Sequence, residues 1–204
     1  MRTEWSDRNK TIQKLLGKED TYKEGIDLLI EFRRELFEQI TQIVNGYPRE
    51  AFYQMPFAGA DGYHSKTLAY SIWHIFRIED IVEHTLIQGD EQILFSKGYR
   101  EKIGCDIITT GNELKGEDLA EFSKKLDVDS LYEYAKAVIK KLQIIYRQRI
   151  SVRHINDEQY CQEKCMNKTC GNNFDQRQNA DLEYDLFYKV IIFQQRVCLI
   201  IHRL

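Results

Sequence analysis

The chain has 204 residues, of which 43% are hydrophobic and 30% charged, and this length predicts one domain over residues 1–204. Its formal net charge is -3, and the 29 basic and 32 acidic residues are spread along the whole chain, so no basic patch predicts nucleic-acid binding. No secretory signal and no run of about 20 apolar residues is seen, which favours a soluble, cytoplasmic protein without a membrane span.

Long helices are predicted because both prolines lie in one short region of the chain. The first long helix is predicted over 20–44, where apolar residues recur at three- and four-residue spacing before an Asn-Gly stop, with a shorter polar helix before it. The second is predicted to begin at a cap formed by Ser65 or Thr67 and to end near Gln88, before a glycine.

Glycines break the next part of the chain, 89–129, into turns and short helical pieces. Asp129 with the following serine is predicted to cap a third long helix over 131–149. A long polar loop that contains cysteines, 151–180, separates it from a last helix over 181–204. No alternating strand pattern is present, so we expect an all-α four-helix bundle with a long crossover connection and short extra helices.

The predicted second helix contains SIWHIFRIEDIVEH, which places ionisable residues among bulky apolar ones. Glu79 falls inside the apolar stripe of this helix, and a buried carboxylate must be paired, hydrogen-bonded or protonated. Two interpretations remain open: a salt bridge to a neighbouring helix, or a catalytic carboxylate. The apolar stripe consists of Leu68, Ile72, Ile75, Ile78, Val82 and Leu86.

His74 lies at the edge of that stripe. It is interpreted either as a metal ligand or as an imidazole at the edge of the core that meets a backbone carbonyl or Tyr70. The opposite side of the helix contains Trp73, Arg77, Asp80 and His84. It is expected to be solvated or covered by a partner, and Asp80 and His84 can pair at four-residue spacing.

Three stretches resemble the DinB/YfiT-like superfamily of four-helix-bundle proteins over about residues 25–150: TLAYSIWHIFRIEDIVEHTLIQGDE, FSKGYREKIG and GNELKGEDLAEFSKKLDVDSLYEYAKAVIKKL. The second helix of that family carries an H-x-x-R-x-E-D motif, matched here by His74, Arg77, Glu79 and Asp80. The resemblance implies a three-histidine site for zinc or nickel, completed by a His-x-x-x-His pair on the last helix. It also implies a metal-dependent hydrolase or a thiol transferase, with the substrate unknown.

The last helix departs from the family pattern, because the histidine pair would fall near Val190 and Gln194, or near Lys189 and Phe193, and none of these is histidine. Gln194 lies on the apolar stripe of that helix, but an amide is a weak ligand for zinc. His64, which follows a glycine-rich stretch, and Tyr70 are the other candidates to line a pocket. With His74 as metal ligand and Glu79 as catalytic residue, the expected cofactor is a divalent metal, zinc or nickel, or none.

Three cysteines in the predicted loop, Cys161, Cys165 and Cys170, have C-x3-C-x4-C spacing, with His154 upstream. Structural zinc sites more often contain tight C-x2-C pairs, so this spacing favours free thiols over a structural zinc site.

Two functions therefore remain open. The chain is either a DinB-like metal-dependent enzyme, or a non-catalytic dimer of that fold that binds a small molecule or a protein partner and has a degenerate metal site. A homodimer is predicted because Tyr70, Trp73 and Phe76 offer more aromatic area than one bundle core easily hides.

Overall fold

The computed structural model describes residues 2–55 and 66–146, and within these residues all regular structure is helical. This confirms the all-α prediction for the described part of the chain, in which no helix is long and apolar enough to cross a membrane. The predicted loop 151–180 and last helix 181–204 lie outside it. In order, the elements are α1 (Arg2–Leu16), α2 (Tyr22–Gly46), a 3₁₀ helix (Arg49–Phe52), α3 (Leu68–Ile81), a π-helix (Val82–Gln88), α4 (Ile93–Ser96), α5 (Tyr99–Ile103), α6 (Gly116–Lys125) and α7 (128–146).

The first two helices pack closely together. Gly25 of α2 permits this approach, since a Cβ atom there would lie 2.9 Å from the backbone nitrogen of Leu16. Arg8 of α1 forms two hydrogen bonds with the carboxylate of Glu35, at 2.6 and 2.9 Å. The buried side of α2 repeats every three or four residues, as the sequence predicts, and includes Ile26, Leu29, Phe32, Arg33, Leu36 and Ile40.

Helix α3 begins where the sequence predicts but ends at Ile81, and a π-helix covers the rest of the predicted span to Gln88. The hydroxyl of Thr67 caps it by accepting a hydrogen bond from the Tyr70 amide at 3.0 Å. The helix continues into the π-helix, which ends at Gly89 in the left-handed conformation, with φ of 67°. π-Helical turns are rare and frequently occur at functional sites, so this junction is of interest for the site described below.

The side of α3 expected to be solvated or covered by a partner is instead buried by the chain itself. Trp73 and Asp80 are 0% exposed, Arg77 1% and His84 2%. Residues of the connection between the π-helix and α6, together with Tyr134 of α7, supply polar contacts to Arg77 and Asp80. The helical wheel failed here because it cannot show that irregular backbone offers hydrogen-bonding partners to charged side chains.

The aromatic residues behind the homodimer prediction are buried as well. Tyr70, Trp73 and Phe76 are at most 3% exposed. They pack inside this chain, so these three residues leave no exposed aromatic surface for a second copy to cover. The homodimer itself stays a prediction.

Helix α7 begins slightly earlier than predicted. Its cap is Asp127, whose carboxylate accepts a hydrogen bond from the Ser130 amide at 2.8 Å, whereas Asp129 instead contacts Arg49. The helix packs against α2 through Tyr132, which stacks on Phe37 with ring centroids 5.4 Å apart.

Candidate functional site

One side of α3 carries three side chains that donate hydrogen bonds to backbone carbonyls of the 104–115 loop, which joins α5 to α6. The donors are spaced about one helical turn apart, and the loop runs antiparallel to the helix. The bonds are Tyr70 to Gly111 at 3.0 Å, His74 to Thr110 at 2.7 Å and Arg77 to Ile108 at 2.9 Å.

The contact with Thr110 fixes the proton on the His74 ring. A carbonyl oxygen can only accept, so Nδ1 must carry the hydrogen, and the lone pair of the neutral ring lies on Nε2. The ring also stacks on Tyr70, with centroids 5.3 Å apart and planes 13° from parallel. This confirms the expectation of an imidazole that meets a backbone carbonyl and Tyr70. It also leaves Nε2 available as a ligand or a base.

Burial keeps the His74 ring neutral. Desolvation lowers the pKa of His74, while the hydrogen bond to Thr110 raises it and nearby Lys66 lowers it further. Lys66 itself lies over the Tyr70 ring, with Nζ 4.7 Å from the centroid, and donates to the Leu114 carbonyl at 3.2 Å. The imidazole is therefore in its neutral form at neutral pH, with a hydrogen on Nδ1 alone, as a metal ligand or a general base must be.

Glu79 lies on a different side of α3. It is 0% exposed and contacts the guanidinium of Arg33 on α2, which confirms the expectation that the carboxylate needs a partner on a neighbouring helix. No contact in the described part of the chain joins Glu79 to His74, so the structure does not bring the two predicted site residues together. The catalytic role of Glu79 stays a prediction.

Glu83, one turn after Glu79, was not singled out from the sequence. It is 2% exposed, and neither carboxylate oxygen has a hydrogen-bond partner among residues 2–55 and 66–146. Burial raises the pKa of Glu83 well above its usual value, with Arg33 opposing the shift and Asp80 adding to it. Arg33 thus lies near two buried carboxylates, and the pKa of Glu83 is raised although Arg33 opposes the shift.

Asp80 connects the helices around the site. Its carboxylate accepts hydrogen bonds from the Ile93 and Leu94 amides, at 2.7 and 2.9 Å, and from the Tyr134 hydroxyl at 2.9 Å. His84 lies near Asp80 as predicted, with Nε2 3.8 Å from the carboxylate, but it forms its hydrogen bond with Asp90 through Nδ1. These contacts fix the end of α3 against α4 and α7.

The described residues contain no group of three or more His, Cys, Asp or Glu side chains arranged to hold a metal ion. The other predicted site residues, His64, His154, Gln194, Cys161, Cys165 and Cys170, lie outside the described ranges. His74 therefore fits one ligand of a metal ion, while residues 2–55 and 66–146 do not supply a complete set.

Sequence reasoning missed Arg33, although a signal for it existed. Arg33 falls on the apolar stripe of α2, at four residues from Leu29 and three from Leu36, and a charge at such a position indicates a buried partner. No comparable signal existed for Thr110, which acts through its backbone carbonyl. The chain matches no model of a known protein family, and no curated protein matches it significantly.

Proposed function

We propose that the chain is a DinB/YfiT-like four-helix-bundle protein that acts as a metal-dependent hydrolase or thiol transferase, with His74 as a ligand of a zinc or nickel ion. The family resemblance of the stretch around His74 motivates this proposal. The single structural observation that supports it is the hydrogen bond from Nδ1 of His74 to the Thr110 carbonyl.

That hydrogen bond is the arrangement expected of a ligating histidine. Metal-bound imidazoles usually donate their other N–H to a carbonyl or carboxylate, which fixes the ring orientation and makes the ligating nitrogen more basic. In His74 the contact with Thr110 leaves the lone pair of Nε2 unused, on a ring held by Tyr70 stacking. Because the described residues supply only this one ligand, we assign no catalytic step to the ion.

A second candidate function is a non-catalytic member of the same fold that binds a small molecule or a protein partner, as a homodimer. The position of Glu79 favours it, because this carboxylate is fully buried and engaged with Arg33 instead of facing His74. A carboxylate so engaged cannot take a proton from a substrate held at His74.

Metal analysis of the purified full-length chain separates the two functions. We expect near-stoichiometric zinc or nickel in the wild type, or uptake during a calorimetric titration, and a loss of affinity of about 10-fold or more in His74→Gln. The matched control is His84→Gln, which replaces another buried histidine, with circular dichroism to show that both variants fold.

Metal-free wild-type protein that does not respond to either ion would overturn the enzyme proposal. An equal loss in both variants would also overturn it, because it would show that His74 has no special part. A ligand that raises the melting temperature without metal would then support the non-catalytic alternative, with sedimentation velocity as the measurement of its oligomeric state.

A further inference from the structure

We infer that Arg77 is a positioning residue for the His74 imidazole: by holding the Ile108 carbonyl, it places the Thr110 carbonyl where it fixes the ring proton on Nδ1 and so leaves the lone pair on Nε2. This inference deepens the proposed function, because it names a residue that prepares the proposed ligand. In this inference Arg77 acts on the ring only through the loop.

The guanidinium of Arg77 binds one carbonyl twice. Nε donates to the Ile108 oxygen at 2.9 Å and Nη2 donates to the same oxygen at 2.6 Å. Two donors in one rigid plane fix both the position and the direction of the acceptor. The side chain is 1% exposed, so water does not compete for these bonds.

The guanidinium is in turn fixed by its other neighbours. Nη1 lies 3.3 Å from the Asp80 carboxylate, Nη2 also donates to Gln92, and the group lies over the Phe95 ring, 5.6 Å from its centroid. Asp80 is anchored by two backbone amides of α4. Arg77 therefore connects the loop to the rigid end of α3 and cannot easily rotate away.

The distance along the chain from Ile108 to Thr110 is short. Two residues span at most about 7 Å, so a displacement of the Ile108 carbonyl is transmitted directly to the Thr110 carbonyl. The segment between them is stiffened by Thr109, which accepts from the Gly111 amide at 3.2 Å and donates to Glu113 at 2.7 Å.

The side chain of Ile108 does not anchor this part of the loop, because it is 47% exposed. Its backbone carbonyl is the buried contact, and Arg77 supplies both hydrogen bonds to it. A lysine at position 77 would offer a single ammonium group without the planar pair of donors. Arg77→Lys therefore keeps the charge and removes the paired hydrogen bonds to the Ile108 carbonyl.

Nitrogen-15 spectra of the histidine side chains test this directly in metal-free, full-length protein at pH 7.5, with the His74 signals assigned by their loss in His74→Gln. The wild type should show a hydrogen on Nδ1 and none on Nε2. Arg77→Lys should give a mixture of both tautomers and bind zinc about 10- to 100-fold more weakly. A merely structural role of Arg77 would not change the tautomer of a folded variant.

Two further variants complete the test. Tyr134→Phe removes a bond to Asp80 in the same network without touching the loop, and it should keep the wild-type tautomer. Gln92→Ala removes one partner of the guanidinium at a partly exposed position and should shift the tautomer in the same direction as Arg77→Lys, but less. Gln92→Ala decides the matter if Arg77→Lys does not fold.

The outcomes distinguish this inference from the proposed function. If zinc binds and the tautomer is unchanged in Arg77→Lys and in Gln92→Ala, the inference is wrong while the proposed function stands. If no metal binds but the tautomer follows Arg77 as expected, the proposed function is wrong while the positioning role stands.

Discussion

Two buried polar sides of α3 differ in how well their hydrogen-bonding groups are matched. On the loop side, the donors of Tyr70, His74 and Arg77 each meet a backbone carbonyl. On the α2 side, one guanidinium, that of Arg33, lies near two carboxylates, and no residue of 2–55 or 66–146 donates a hydrogen bond to the oxygens of Glu83. Among the described residues, these three donors of α3 are therefore paired, whereas Glu83 of the adjoining π-helix is a carboxylate without a donor.

The loop side is expected to determine the geometry around His74, whereas the α2 side is expected to make the stability of the protein depend on pH. Matched buried bonds contribute about 1 kcal/mol each, and losing one partner costs more because the other is left unsatisfied. The loop side should therefore fix a geometry that changes little near neutral pH. Among the described residues, the α2 side has two carboxylates near one guanidinium, so its stability should depend on whether Glu83 holds a proton.

The largest effect is expected from breaking the matched side at Arg77. Arg77→Met leaves the Ile108 carbonyl without its side-chain donors and the Asp80 carboxylate without the guanidinium. It should lower the free energy of unfolding by about 3–5 kcal/mol. Urea denaturation monitored by circular dichroism measures this. Arg34→Met is the control, since the Arg34 side chain is 63% exposed and its loss should cost little. A loss in Arg77→Met as small as that of the control would contradict the comparison.

The unmatched side is tested by the pH dependence of stability. Because the folded-state pKa of Glu83 is raised above 4.5, the folded protein binds more protons, and stability should fall as pH rises from that value through the folded pKa. The contribution is at most about 1.4 kcal/mol per pH unit, the slope for one proton. Glu83→Gln should remove this part of the slope and be more stable than wild type at the alkaline end.

Urea midpoints at a series of pH values measure the slope. Glu38→Gln is the control, because the Glu38 side chain is 63% exposed and its removal should leave the wild-type slope in place. An unchanged slope in Glu83→Gln would show that the buried carboxylate is not the proton-binding group.

A smaller effect is expected at Gly111, which the loop requires for two reasons. Its φ is +71°, and a Cβ atom would lie 3.2 Å from Cε2 of Tyr70. Gly111→Ala should therefore cost about 1–3 kcal/mol. Gly89→Ala is the control, since its φ is +67° but nothing lies within 4 Å of the added atom. Thermal unfolding should show the greater loss in Gly111→Ala, and equal losses would mean that the contact with Tyr70 is unimportant.

The smallest effect is expected from Tyr134→Phe, which deletes one of several donors to Asp80 at 2.9 Å. The carboxylate keeps two backbone amides and Arg77, so the loss in free energy of unfolding should be about 1 kcal/mol. A loss above about 3 kcal/mol in urea denaturation would show that the network around Asp80 depends on every donor.

The helices and several individual contacts could be predicted from the sequence. The periodicity of α2, the Thr67 cap and the glycine end of the π-helix are local signals, which depend on residues close in the chain. The need of Glu79 for a partner followed from its place in an apolar stripe. The identity of that partner, Arg33, depends on how two helices pack, which spacing within one helix does not give.

The loop side of α3 could not be predicted in this way. Its acceptors are backbone carbonyls of Ile108, Thr110 and Gly111, and every residue has such a carbonyl, so side-chain chemistry carries no signal for them. Arg77 consequently resembled a surface residue on the helical wheel. The tautomer of His74, on which the proposed metal ligation depends, follows from the position of the Thr110 carbonyl in the loop, which the sequence does not give.

The carboxylate of Asp80 also bears on the order in which the chain folds. It caps the first amides of α4 from 13 and 14 residues upstream, so this four-residue helix receives its N-terminal cap from α3 and not from its own flanking residues. Short helices are marginal in water on their own. During synthesis α4 should therefore become helical only after α3 has formed, and the segment that follows would be organised from the amino-terminal side.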